Sequence, residues 1–318
     1  MQFRLSPPRY DERRDLRNRL QQQKSFSPSN NNEKTMTNEF HEKNRLSWDA
    51  ATVAHNSHKG DQVAFFRNGG STLFPEEVEL LGGVDGLDLL HLQCNSGQDT
   101  LSLARLGANV TGVDISDEAI RFARNLSAQT NIPATFHRAD LLTYFAEQAS
   151  MPGRFDRVFA SYGTLGWLSD IEAWAQGVAH SLKPGGRFVL VEFHPFAMIF
   201  DEQWTMRYDY FDQTPIVSDG VNDYVALSGE GLAPDGYEVG FESFVNPHPS
   251  VEFFWGVGDV VSALAKSGLV IEQLREYPYA NGWKGFDGMR DSGGRRMVPP
   301  QDMVRLPLMY GIAARRPG

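Results

Sequence analysis

Two acids and one turn stand at spacings that suit a nucleoside-like ligand. The stretch HLQCNSGQDTLSLARLGANVTGVDIS, His91 to Ser116, predicts a strand, a turn, a helix and a second strand ending in Asp114. An acid about 20 residues beyond such a turn meets ribose hydroxyls, because a carboxylate accepts two hydrogen bonds from a diol. Asp140 closes the next predicted strand and can accept from an exocyclic amine. Each acid also has a plainer reading, as the start or cap of the helix that follows it. The turn itself, Gln93–Gly97, aims backbone N–H groups from a helix N-terminus at the ligand and favours an anion. It holds one glycine, Gly97, where a dinucleotide turn needs G-x-G-x-x-G so that backbone can approach a pyrophosphate. Side chains at Gln93 and Asn95 crowd a pyrophosphate, whereas a single carboxylate still fits. Cys94 reads as packing against the sheet, since a thiol in such a turn is not thereby a nucleophile.

Further candidates follow later strands. Ser161, Tyr162 and Trp167 come just after the fourth, and Glu192, Phe193, His194 and Pro195 close the fifth. His194 is the expected general base, because imidazole titrates near neutrality; its plainer role is to bond the neighbouring loop. Residues 195–255 are too long for a plain loop and read as a lid. Their aromatics, Trp204, Tyr208 and Trp255 among them, together with Tyr277, Tyr279 and Trp283, suggest a substrate wall. Equally, they can form the lid's own small core. Trp48, His55, His58 and Phe66 are placed to close over a ligand. His55 and His58 can share a helix face, but no third ligand accompanies them, so no metal is expected.

The elements that must position these residues are strands alternating with helices. Leu87–Leu92, Asn109–Ile115, Ala134–Leu141, Arg154–Tyr162, Arg187–Phe193, Leu269–Tyr277 and Leu306–Ala314 read as strands. Ile171, Trp174, Ala175, Val178 and Leu182 fall at helical spacing, and Pro184-Gly185-Gly186 ends that helix. Val257–Lys266 is a second clear helix. The pattern predicts an α/β fold: a doubly wound, mostly parallel seven-stranded sheet with its ligand at the carboxyl ends of the strands.

The chain has 318 residues, 41% of them hydrophobic, with a formal net charge of -10. That acidic balance argues against a nucleic-acid partner, which needs a basic footprint. One cysteine permits no internal disulfide, and no apolar run approaches a membrane span. A cytoplasmic setting follows as an expectation. Residues 1–24 carry seven Arg or Lys against three Asp or Glu, and a Gln/Ser/Asn-rich run follows. Residues 1–38 therefore read as a disordered tail, with 39–318 one domain and 39–80 a helical cap on it. An organelle-targeting role for the tail is spoiled by Asp11, Glu12 and Asp15; translation starting at Met36 is the bland alternative.

Taken in order, these motifs resemble the class I S-adenosylmethionine-dependent methyltransferases. In that family the first turn commonly reads D/E-x-G-x-G-x-G. The matching positions here are His91, Gln93, Asn95 and Gly97, of which only the last is kept. GANVTGVDIS, FHRADLL, FDRVFASYGTLGWL and SLKPGGRFVLVEF resemble the family's second to fifth strands, and the last two strands resemble its antiparallel C-terminal hairpin. The resemblance implies that Gln93, Cys94, Asn95, Gly97 and Ser161 hold the methionine end of S-adenosylmethionine. It implies that Asp114 takes the ribose, that Asp140 takes the adenine amine, and that Ile115 and Leu141 pack the adenine faces. The implied reaction is in-line methyl transfer to a small-molecule N, O or S acceptor. Tyr162 and His194 would stand at the reacting atoms, and Trp167, Trp204, Tyr208, Trp255 and Tyr279 at the substrate. S-adenosylmethionine carries no phosphate, so the turn can lose glycines that a pyrophosphate demands. Two other readings are a non-catalytic binder of the cofactor or its product S-adenosylhomocysteine, and a nicotinamide-dependent oxidoreductase. Oligomeric state is not legible.

Overall fold

The computed structural model describes residues 30–318. In chain order its strands are β1 (Asp88–Leu92), β2 (Asn109–Asp114), β3 (Thr135–Arg138), β4 (Phe155–Ser161), β5 (Leu182–Phe193), β6 (Ile216–Ser218) and β7 (Ser250–Glu252). They continue with β8 (Val270–Tyr277), β9 (Ala280–Asn281), β10 (Arg290–Asp291), β11 (Arg296–Val298) and β12 (Met309–Arg315). The main sheet has seven strands in the order β3-β2-β1-β4-β5-β12-β8. β1 to β5 pair in parallel, and β12 runs antiparallel between β5 and β8. The order reverses at β1, which puts the ligand crevice beyond its carboxyl end.

Period-two alternation shows which faces are buried. Phe188 and Leu190 of β5 enter one core with Trp174, Val178, Val260 and Leu264 from the helices Ile171–Ser181 and Val257–Lys266. Val189 and Val191 point the other way, against Leu80 and Leu81 of the helix Pro75–Leu81. Strands covered on both faces must be apolar throughout, which is why β1 and β5 show no polar alternation. Trp174 is fully buried, and its truncation to Ala would cost about 3–5 kcal/mol.

Three features go beyond the sequence reading. β8 and β12 are not joined by a plain hairpin turn: residues 278–308 leave the sheet between them and build a second small sheet, β10-β11-β9. The 195–255 segment contains the β6–β7 ribbon and a short helix, Tyr224–Ser228. It does not stand apart from the N-terminal cap. Asn44 of the helix Asn30–Ser57 donates to the Val251 carbonyl (2.8 Å) and accepts from its N–H (2.7 Å), both buried. Ser47 Oγ accepts from Val221 N (2.9 Å), and His58 Nε2 lies 2.8 Å from Asp223 Oδ2. The tail expected over 1–38 lies outside the described residues up to 29, and its end, 30–38, belongs to the Asn30–Ser57 helix.

Candidate functional site

The first turn keeps a glycine-loop backbone without the glycines. Gln93 has φ 48°, Asn95 φ 47° and Gly97 φ 79°, so all three alternate positions are left-handed. Asn accepts this conformation readily; a Gln there is strained by about 1–2 kcal/mol. Local bonds hold the shape. Cys94 N donates to Val113 O (3.0 Å) and Gly97 N to Cys94 O (3.0 Å). Ser96 N donates to Asn95 Oδ1 (2.6 Å), and Gln93 Nε2 donates to Thr164 O (2.8 Å). Gly97 is required twice over, because a Cβ there would also stand 2.7 Å from Ala123 Cβ. Cys94 is buried on the sheet, where burial pushes its thiol well up. Its sulfur fills the space above Gly112, whose Cβ would stand 2.8 Å from it. Cys94 thus packs against the sheet.

Asp114 joins the turn to the second strand. Oδ2 accepts from Asn95 N and Oδ1 from Ser116 N, each at 2.8 Å. Burial pushes its carboxyl up to about 6, against the pull of those N–H groups. Each oxygen retains a lone pair, so a ribose diol can still be received. Beyond it lies a cavity of about 340 Å³, lined among others by His41, Arg45, Ile115, Arg138, Ala139 and Asp140. Ile115 and Asp140 thus stand where the adenine was expected. Leu141 does not: it turns into the main core, and Ala139 lines the cavity instead. Asp140 caps the helix Leu141–Glu147, accepting from Thr143 N at 2.9 Å. Its other oxygen lies 2.6 Å from His41 Nδ1. Burial works to raise this carboxyl, but the His41 bond and the Thr143 N–H hold it below its ordinary value.

Glu192 organises the turn after β4. This buried carboxylate accepts from the backbone N–H of Thr164 (2.8 Å), Leu165 (3.1 Å), Phe193 (2.7 Å) and Gly163, and from Thr164 Oγ1 (3.1 Å). Ser161 Oγ, at the start of that turn, donates to Asp99 Oδ2 at 3.4 Å. Tyr162 is left-handed (φ 39°), and its hydroxyl accepts from Asn281 Nδ2 at 2.8 Å. Burial and the neighbouring Glu77 carboxylate push the Tyr162 phenol well up, so it keeps its proton. A phenol that keeps its proton is no base near neutral pH.

Both ring nitrogens of His194 are engaged within the fold. Its Nδ1 accepts from Phe196 N (3.1 Å), so Nε2 carries the proton, and that nitrogen lies 3.0 Å from Glu276 Oε1. Burial lowers its basicity, partly offset by Glu276. With both nitrogens engaged it braces β5 against β8.

Most of the expected substrate aromatics are engaged by other residues of the fold. Trp204 stacks on Phe286 (4.3 Å) and donates Nε1 to Asp287 O (2.8 Å). Trp255 donates to Leu168 O (2.9 Å) and leans on the main core. Tyr279 donates to Glu76 Oε1 (2.6 Å) under the Arg296 guanidinium. Tyr208 is half-buried, its N–H donating to Ile199 O (3.1 Å). Trp167 is different: it meets Trp48 edge-on at 5.3 Å, beside the β4 turn and under the N-terminal helix. His55 and His58 make no pair, since they bond Asn222 O (2.8 Å) and Asp223 respectively.

The Asn30–Ser57 helix supplies what sequence reasoning missed. His41, Arg45, Asp49, Thr52 and Asn56 recur at helical spacing and form a polar stripe that crosses the ends of β3, β2 and β1 in turn. His41 meets Asp140; Arg45 meets Asp117 (2.7 Å); Asp49 accepts from Ser116 Oγ (2.7 Å); Asn56 donates to Ser96 Oγ (2.8 Å). That i, i+4 recurrence of polar residues was the available signal. Among the buried atoms with no partner among the described residues are His41 Nε2 and Thr52 Oγ1 of this helix and Gln93 Oε1 of the first turn. Buried polar atoms are ordinarily paired, and these suit a ligand with amine and hydroxyl donors. Gln93 Oε1, between the β1 and β4 turns, suits the methionine ammonium of S-adenosylmethionine.

Comparison with known proteins agrees with this geometry. A methyltransferase domain family matches residues 89–186. A demethylmenaquinone methyltransferase of Tropheryma whipplei (strain Twist) is 34% identical over 119 residues, 37% of this chain and 46% of that protein. A ubiquinone biosynthesis O-methyltransferase of Proteus mirabilis is 33% identical over 108 residues, 34% of this chain and 42% of that protein. The chain therefore spans under half the length of these curated relatives. Among solved structures, an S-adenosylmethionine-dependent methyltransferase from Mesorhizobium loti superposes with a TM-score of 0.52 at 22% identity, covering 79% of this chain and all of that one. Its likeness is one of fold. With the matched domain, the strand order and the acid at the end of β2, residues 89–186 are a methyltransferase domain set in a sheet with the class I S-adenosylmethionine-dependent methyltransferase fold.

Proposed function

We propose that this protein transfers a methyl group from S-adenosylmethionine to a small-molecule acceptor. The observation that carries the reading is the left-handed backbone of Gln93 and Asn95, which preserves the shape of the turn where its glycines are gone. A strained conformation held by five local bonds is kept for a use. When bound, the cofactor supplies a methyl group already activated on a sulfonium.

The chain's own residues bind, orient and exclude water. Gln93 Oε1 and the turn receive the amino-acid end; Asp114 receives the ribose; the cavity beside Ile115 and Ala139 receives the base. Glu192 fixes the turn from Ser161 to Trp167, and the Tyr162 hydroxyl orients what lies above it. The Asn30–Ser57 helix covers the crevice and keeps water out. The named activities of the two curated relatives, on demethylmenaquinone and in ubiquinone biosynthesis, support a small-molecule acceptor. The polar surroundings of Tyr162 favour an acceptor bearing a hydroxyl or amine over a purely apolar one.

Calorimetric titration of the full chain with S-adenosylhomocysteine tests the first half. Dissociation in the micromolar range or tighter supports it; no heat at millimolar ligand removes it. Transfer of labelled methyl from S-adenosylmethionine into a small-molecule extract tests the second half, and binding without any transfer leaves a non-catalytic binder.

A further inference from the structure

The adenine acceptor at the end of β3 is already engaged. Asp140 Oδ1 accepts from Thr143 N at 2.9 Å, and Oδ2 lies 2.6 Å from His41 Nδ1. A carboxylate only accepts, so Nδ1 carries the proton, and the tautomer with that single proton leaves Nε2 as a lone pair. That Nε2 is buried and has no partner among the described residues, while the imidazole lines the same cavity as Ile115, Ala139 and Asp140. A second unpartnered atom, Thr52 Oγ1, lies on the same stripe of the same helix.

We propose that His41, and not Asp140, is the group that accepts the exocyclic amine of the cofactor's adenine. Asp140 then acts through His41: it fixes the tautomer that leaves the Nε2 lone pair facing the base. The consequence is a specificity device contributed by an element outside the matched domain, which begins at residue 89. An amine satisfies the Nε2 lone pair, whereas a carbonyl at the same position sets acceptor against acceptor. The inference rests on the cofactor assignment above.

The test compares S-adenosylhomocysteine with its hypoxanthine analogue, in which oxygen replaces the amine, by calorimetry on the full chain. The wild type is expected to prefer the adenine form by at least about tenfold, the worth of one good buried hydrogen bond. His41→Ala should lose that preference, with adenine-form affinity falling about tenfold and the analogue little changed. His41→Gln should restore much of it, since its amide can donate to Asp140 and accept from the amine. Equal losses for both ligands in His41→Ala would reduce His41 to a brace and overturn the proposal. So would a wild type that binds both ligands equally. A wild type that binds neither would overturn it together with the methyltransferase reading, whereas retained preference in His41→Ala would overturn it alone.

Discussion

Asp114 Oδ2 accepts the backbone N–H of Asn95 at 2.8 Å, so the acid at the end of β2 and the turn after β1 are one bonded unit. The same carboxylate is desolvated enough to sit at about 6 instead of its ordinary 3.8. A raised acid favours its protonated form in the fold. Its contribution to stability is full below the ordinary value and is lost as pH rises through about 6. At neutral pH the ionised group is held at a cost of about 3 kcal/mol, which ribose hydroxyls would relieve by donating to it.

Cofactor affinity should therefore titrate with Asp114. S-adenosylhomocysteine binds the ionised form, so its affinity is expected to fall by about tenfold between pH 7.5 and 5. Near pH 6 binding should release protons, read as a binding heat that changes with the buffer's own ionisation enthalpy. Asp114→Ala should bind at least about tenfold more weakly at pH 7.5 and lose the pH dependence. A wild type with flat affinity across this range would separate Asp114 from the ribose.

Gln93 tests whether the turn's backbone or its side chain matters. Its φ of 48° suits glycine, and its amide bonds Thr164 O. Gln93→Ala and Gln93→Gly lose the same amide bonds, but only glycine relaxes at this angle. The glycine variant should be more stable than the alanine variant by about 1 kcal/mol in thermal melts. Both should bind S-adenosylhomocysteine more weakly than wild type if Gln93 Oε1 receives its ammonium. Alanine matching glycine in stability would show that the left-handed turn is not under strain.

The sheet was legible because strands buried on both faces leave apolar runs, as at Leu87–Leu92 and Arg187–Phe193. Asp114, Ile115 and Asp140 drew notice because they stand at strand ends, which in this topology converge on one crevice. Leu141 misled because one residue past a helix cap reverses direction, sending it into the core. His194 reads as a base by residue type and position, and only its neighbours Phe196 and Glu276 reveal that both nitrogens are engaged. His41 was hidden by distance along the chain. Its partner is Asp140, and no local pattern announces a contact spanning 99 residues.

Cys94 and Gly112 form a packing pair that can be taken apart. A methyl at Gly112 would stand 2.8 Å from Cys94 Sγ and 3.0 Å from the Phe136 ring. Gly112→Ala should cost about 1–3 kcal/mol by overpacking. Cys94→Ala makes room, so the double variant should recover part of that loss in denaturant titration. Simple additivity of the two would refute the contact. Native Cys94, buried and with its thiol pushed up, should also resist iodoacetamide until the protein is unfolded.

His194→Ala distinguishes a brace from a base. The ring accepts from Phe196 N, lies 3.0 Å from Glu276 Oε1 and meets the Tyr310 ring edge-on at 5.6 Å. Its removal leaves a buried N–H unpaired and a gap beside Tyr310, so stability should fall by about 1–3 kcal/mol. Turnover, once an acceptor is identified, should drop without change in the shape of its pH profile, because no proton of the reaction passes through this ring. Glu276→Gln keeps an acceptor opposite Nε2 and should leave both stability and profile close to wild type. Loss of the acid limb of the profile in His194→Ala, with its fold intact, would return His194 to the reacting atoms as a base.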